Sequence, residues 1–253
     1  MSYGGEVLRK KKKRKKRVDK LIVSLSFVFI TTLGGFCLLK SNLFNVNEIE
    51  INGNKNLKNN EIINEDDLID NKNIFTYSLK SIKNDIELNP YIKSADVSIK
   101  LPNRIVINVE EVNIVGLLSN SNEHCYIDKD GNLVEKINDL SENNDKIIIK
   151  TNFSIDNGED IKFKNENDKT NILNILSLIE ENSLGLKVRK IEYNGDSDIN
   201  LITKYGTTFI MENNDMKYNI SRVSKILVDL QSKNIKSGIV DLTYSNYALY
   251  RPS

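Results

Sequence analysis

Nine consecutive cations, Arg9-Lys10-Lys11-Lys12-Lys13-Arg14-Lys15-Lys16-Arg17, stand just ahead of a stretch, Leu21 to Leu39, that contains no charge at all. Nothing else in the chain restricts it more. Nineteen uncharged residues, at about 1.5 Å each, make a helix of roughly 28 Å, close to the ~30 Å hydrocarbon layer of a bilayer. Lys20 and Lys40 bracket the run, and Gly34 and Gly35 lie inside it, where a membrane helix tolerates them better than a soluble one. A cleaved signal peptide would have a shorter apolar core and an Ala-x-Ala-like site, where this chain reads Lys40-Ser41-Asn42-Leu43. A nucleic-acid arm would use the same cations, since phosphate contacts need only Lys and Arg, but it leaves the adjoining apolar run unexplained. The positive-inside rule accounts for both. Residues 1–20 are expected to form a basic cytoplasmic tail drawn to anionic headgroups, and 21–39 a single transmembrane helix. Everything from about Ser41 onward then lies outside the cell membrane, and no nucleic-acid partner is expected.

The formal net charge of +1 conceals this segregation. Residues 1–40 hold eleven cations against Glu6 and Asp19, which leaves 25 basic and 33 acidic residues beyond them, a net of −8. Cys37 lies in the apolar run and Cys125 in the outer portion. The two cannot meet, so no intramolecular disulfide is available. One histidine cannot supply most metal sites or more than one imidazole catalyst.

Residues 44–112 read as a compact α+β unit. Val46–Ile51 is a short strand ending at the turn signal Asn52-Gly53-Asn54. A helical stretch runs from about Leu57 to Ile63, and a second from Ser78 to Leu88, with Leu79, Ile82 and Ile86 on one stripe. Asn89-Pro90 ends it, because the residue before proline disfavours the helical region. Ala95, Val97 and Ile99 alternate with polar residues, as do Ile105, Ile107 and Val109, and Leu101-Pro102-Asn103-Arg104 turns the chain between them. The expected order is β-α-α-β-β.

Residues 113–253 change style. His124–Val134 reads as two strands joined by an Asp-Gly turn. Lys146–Lys150 is a further strand. Thr170–Glu181 is helical, with Ile172, Ile175, Leu176 and Ile179 on one face and Asp168 as its cap. Val188–Tyr193, Asp198–Lys204 and Thr207–Glu212 are strands. Asp215 opens an amphipathic helix with Met216, Ile220, Val223, Leu227 and Leu230 at spacings of three and four. Strands at about Gly238–Thr243 and Tyr247–Tyr250 close the chain.

No constellation of these residues carries enzyme chemistry. His124 and Cys125 are neighbours in a strand, so their side chains point to opposite faces and cannot form a dyad. Asp128, Asp130 and Asn132 imitate an EF-hand, but the sixth loop position is Leu133 where a glycine is required. The carboxylate pairs Glu110-Glu111 and Glu180-Glu181 read as solvated faces, and Glu48 and Glu50 fit a solvated face as easily as a binding one. Neither a catalytic residue nor a metal or cofactor is expected. A membrane-anchored wall enzyme, the rival class, would need a clustered acid, base or nucleophile. An outer-membrane assembly factor would need a long run of barrel strands.

The run from Val46 to Glu111 resembles a POTRA domain. It carries Ile51-Asn52-Gly53-Asn54, Asn89-Pro90-Tyr91-Ile92 and Leu101-Pro102-Asn103-Arg104 in that domain's order. With the basic tail, the single span, the Tyr126–Gly131 hairpin, the helix bearing Lys217, Arg222 and Lys225, and the Asp241-Leu242-Thr243-Tyr244 strand, the whole chain resembles the FtsQ/DivIB family of bacterial cell-division proteins. It departs from that family at Thr243, where members often carry Arg. The resemblance implies two helices packed on a mostly antiparallel sheet in the β-rich domain. It also implies a non-catalytic scaffold at the division septum, joining FtsB/DivIC-like and FtsL-like bitopic partners and, indirectly, septal wall-synthesis enzymes.

The residues themselves point to one surface. Tyr244, Ser245, Asn246, Tyr247, Ala248, Leu249 and Tyr250 place three tyrosines on what reads as a terminal strand. A sheet edge has one row of unpaired N–H and C=O groups that can accept a partner strand. The resemblance implies that this segment takes the FtsB/DivIC-like partner, and that Arg222 joins the same contact.

Overall fold

The computed structural model describes residues 3–70, 72–140, 145–157, 160–195, 198–244 and 246–252, with side chains described from Asp19 onward except that of Asp67. The chain divides into two compact units, Met1–Glu111 and Val112–Ser253.

The first unit opens with one helix, α1 (Tyr3–Leu39). The basic tail therefore continues the same helix that carries the apolar run. From Asp19 to Leu39 α1 is long and apolar enough to cross a membrane, and none of that stretch is buried against the protein. A 3₁₀ turn at Asn42–Phe44 leads into β1 (Glu48–Asn52). Two four-residue helices follow, α2 (Asn59–Ile62) and α3 (Glu65–Leu68). After a second 3₁₀ turn at Ile74–Thr76 comes α4 (Leu79–Glu87), capped by the Ser78 hydroxyl, which accepts from the Ser81 N–H. A hairpin of β2 (Ile92–Lys100) and β3 (Arg104–Glu111) completes the unit. The helical stretch expected across 57–63 is thus shorter, and a second short helix stands beside it.

β3 takes the centre of a three-stranded sheet, antiparallel to β2 and parallel to β1. Ala95, Ile105, Ile107 and Val109 face a core shared with Ile82 and Ile86 of α4, as the alternation requires. The Asn52-Gly53 turn needs glycine, because Gly53 has φ +91° and a Cβ there would lie 2.1 Å from the Val109 carbonyl oxygen.

Three of the acidic residues of this unit, Glu48, Glu50 and Glu111, stand at the surface but have partners within it. Arg104 on β3 reaches across the parallel pair to Glu48 (2.7 Å) and Glu50 (2.8 Å) on β1. Glu111 accepts from the backbone N–H groups of Lys55 (2.7 Å), Asn56 (3.0 Å) and Leu57 (3.0 Å), and from the Asn56 side chain (2.8 Å). These carboxylates find partners because strand pairing brings residues some fifty positions apart into register, which sequence neighbours cannot reveal.

In the second unit β4 (Ile114–Ser119), β5 (His124–Asp128) and β6 (Leu133–Ile137) form a meander, followed by β7 (Ile148–Lys150). A small separate hairpin, β8 (Phe153–Asp156) with β9 (Asp160–Phe163), precedes α5 (Asp168–Glu181). Then come β10 (Val188–Glu192), β11 (Ile199–Thr203), β12 (Thr207–Met211), α6 (Met216–Ser232), β13 (Gly238–Asp241) and β14 (Leu249–Arg251). Nine strands make one mixed sheet in the order β14-β13-β12-β11-β10-β7-β4-β5-β6. Five of its eight pairings are antiparallel. β12 and β13 run parallel because α6 crosses between them. Ile172, Ile175 and Ile179 of α5 and Ile220, Val223 and Leu227 of α6 bury against Leu118, Ile149, Ile191, Leu201, Phe209 and Val240 of the sheet. The fold is α+β throughout.

Asp168 is not the cap of α5. Asn167 occupies that position without a side-chain bond, and Asp168 is the first helical residue. Its buried carboxylate accepts from the Asn165 N–H (3.2 Å), the Asn165 amide (3.1 Å) and the Tyr193 hydroxyl (3.2 Å). The burial of Tyr193 raises its pKa, reinforced by the Asp168 charge, although the Asn171 amide works the other way.

Candidate functional site

β14 is the outermost strand of the large sheet, and among the described residues nothing pairs with its outer side. Its inner side pairs antiparallel with β13, setting Ile239 opposite Arg251, Val240 opposite Tyr250 and Asp241 opposite Leu249. Since side chains alternate across a strand, Val240 and Tyr250 turn toward the core while Ile239 and Leu249 stand on the other face. Val240 is buried, and Tyr250 packs half-buried against the core with its hydroxyl donating to the Ser237 carbonyl (2.7 Å). Ile239 and Leu249 are exposed. Asp241 on the same face accepts from Arg251 (3.3 Å) and from the Thr243 hydroxyl (2.7 Å). Thr243 thus fixes the end of β13 through its neighbour's carboxylate.

The loop between the two strands carries the remaining expected site residues. Tyr244 and Tyr247 stack with ring centroids 4.6 Å apart and planes 15° from parallel, the offset arrangement aromatic pairs favour. Both are exposed, Tyr247 by 58%. Asn246 and Ala248 are exposed too, and Ser245 lies outside the described residues. Arg222 on α6 comes to this loop but does not project from it. Its guanidinium donates to the backbone carbonyls of Leu242 (3.1 Å) and Tyr247 (2.8 Å) and lies 5.4 Å from the Tyr218 ring centre. The structure therefore gathers Arg222, Tyr244, Tyr247 and Leu249 at one sheet edge, and gives Tyr250 an inward role. Tyr218, exposed beside Arg222, belongs to this surface as well. Its place one helical turn before Arg222 is the signal that finds it.

The remaining chemistry-bearing residues have structural tasks. Cys125 is buried, and its thiol is pushed up to about 12, by burial first and then by the Glu123 charge, so it is not a nucleophile at ordinary pH. Asp128 accepts from the N–H groups of Asp130 (2.9 Å) and Asn132 (2.8 Å) and closes its own turn. Among the described residues no three His, Cys, Asp or Glu side chains gather as metal ligands would.

A membrane-span-sized helix followed by this three-stranded unit defines a POTRA-bearing protein, and residues 44–111 match the POTRA domain of FtsQ type. Over most of its length the chain is similar to two clostridial proteins named cell division protein DivIB. That of Clostridium tetani is 28% identical over 226 residues, spanning 87% of this chain and 83% of the relative. That of Clostridium botulinum strain Hall is 29% identical over 253 residues, spanning 94% of this chain and 93% of the relative. A protein named cell division protein FtsQ, from Syntrophotalea carbinolica, is 26% identical over 229 residues, spanning 87% of this chain and 77% of the relative. The FtsQ-type POTRA match and these similarities over most of the chain support the FtsQ/DivIB family.

Proposed function

We propose that this protein is a non-catalytic, single-pass scaffold of the bacterial division machinery. Relatives named for cell division support the role. The cation cluster holds the N-terminus in the cytoplasm and both folded units act outside the membrane, concentrated at the septum. The outer edge of β14 and the adjoining Tyr244–Leu249 face take an FtsB/DivIC-like partner by strand addition, with FtsL-like proteins joining the assembly and wall-synthesis enzymes following indirectly. Anchoring in one plane raises the effective concentration of these partners, and the edge chooses among them.

The observation that carries this reading is the position of β14 at the end of the nine-stranded sheet, its outer side unpaired among the described residues and bordered by exposed Tyr247 and Leu249. A strand edge supplies hydrogen bonds, and rigid aromatic side chains supply contact area at low entropic cost. The test is co-purification of the full chain in detergent. Tyr247→Asp and Leu249→Asp, both at exposed positions, should lose the FtsB/DivIC-like partner while circular dichroism stays unchanged. Undiminished capture by both variants would refute the assignment of this edge.

A further inference from the structure

We propose that the POTRA unit rests on the membrane through Phe75 and Leu43, with lipid acyl chains filling the cleft between the end of α1 and the Ile74–Thr76 turn. The inference depends on the reading of α1 as a membrane anchor. The cleft, of about 510 Å³, is lined by Phe36, Leu39 and Lys40 from α1 and by Asn73, Phe75 and Thr76. Phe75 is 51% exposed and Leu43 55% exposed, although the core of the unit has room for Val46 and Ile74, the residues close to each. The Phe75 ring meets that of Phe44 at 5.4 Å, so it is held in place and not merely left over.

The depth of this turn is fixed by a bond. The Asn73 side-chain amide donates to the Leu39 carbonyl at 2.6 Å, satisfying one of the acceptors that every helix end leaves open. Asn73 also bridges to Asn45, and the Val46 N–H donates to the Lys72 carbonyl (3.0 Å). Phe36 and Leu39 form the last turn of the uncharged run. A side chain sharing a cleft with them is therefore within about 5 Å, one helical turn, of the hydrocarbon boundary. The Lys40 ammonium lies 4.7 Å from the Phe36 ring centre, a cation–π contact at the end of the run. None of Leu21 to Leu39 is buried against protein, so acyl chains must solvate them. The same solvent continues into a cleft that opens beside Phe36.

The chain has no tryptophan, so a single introduced one reports on its own surroundings. Phe75→Trp, Leu33→Trp within the span, and Leu88→Trp are compared in the full chain, reconstituted into phosphatidylcholine and phosphatidylglycerol vesicles with acyl chains brominated near the glycerol. Leu88 is 81% exposed and sits past the far end of α4 from Phe75. The L33W and F75W emissions should lose most of their intensity to bromine, and that of F75W should be blue-shifted, while L88W keeps its emission and is quenched by aqueous iodide. L43W, which leaves the Phe44–Phe75 pair intact, should follow F75W. If F75W and L43W both behave like L88W while L33W is quenched, the docking is wrong and the anchor stands. If L33W is not quenched, the anchor fails and the docking with it.

Discussion

The Arg222 guanidinium donates to the carbonyl of Leu242, just past β13, and to that of Tyr247, just before β14. One helix residue thereby holds both ends of the loop that delivers the edge strand. Charge-assisted bonds to carbonyls stabilise more than neutral ones, so Arg222 positions the loop that carries Tyr244 and Tyr247.

Replacing it separates positioning from contact. Arg222→Ala should speed amide exchange across the loop between β13 and β14 and cost roughly 1–3 kcal/mol in chemical denaturation, with weaker partner capture as a consequence. Arg222→Lys keeps the charge but not the planar fork, and should recover only part of the protection. Exchange unchanged in R222A would mean that Arg222 does not hold the loop.

Much of this architecture is legible in the residues, for reasons that differ by element. α6 and α4 announce themselves because their apolar stripes repeat every three or four residues and bury the residues expected, Met216 to Leu230 and Ile82 with Ile86. The β2–β3 hairpin is legible from two-residue alternation. Sheet order is not, because pairing β7 with both β4 and β10 is a long-range choice that no local pattern records. Carboxylate partners are hidden in the same way: Glu111 reads as half of a solvated Glu-Glu pair until the fold brings residues 55–57 to it. At the edge, the tyrosine-rich sequence marks the surface, but only the register decides that Tyr250 turns inward and Leu249 outward.

Glu111 gives the fold a pH-dependent tie. Its partial burial raises its pKa, but the N–H groups of Leu57, Lys55 and Asn56 that bond its charged form outweigh this, so the folded value lies below the ordinary 4.5. A depressed folded value means the contribution is present in full above the unfolded pKa and is lost as pH falls through the folded one. Glu111→Gln should therefore cost about 1 kcal/mol at neutral pH, and the gap from wild type should close in acid. Denaturation curves taken at neutral pH and again below the ordinary carboxylate range test this, and a gap independent of pH would contradict it.

Gly238 offers a way to perturb the edge strand without altering any residue proposed to touch a partner. It begins β13 with φ +141°, a conformation open essentially to glycine alone. A Cβ at this position would fall 2.6 Å from Cε2 of Tyr250, 2.8 Å from its hydroxyl oxygen and 2.7 Å from the Arg251 carbonyl oxygen. Tyr250 lies across Gly238 because its hydroxyl reaches the Ser237 carbonyl, so the close approach there depends on the missing side chain. Gly238→Ala should displace β14 from β13, cost roughly 1–3 kcal/mol through strain, and abolish co-purification of the FtsB/DivIC-like partner. Tyr250→Phe removes only the hydroxyl bond, should cost about 1 kcal/mol, and should leave partner capture intact, because the ring still packs inward and the outer edge is unchanged. Capture by G238A at the wild-type level, with amide exchange across Leu249–Arg251 unaltered, would show that the partner does not depend on β14 being seated.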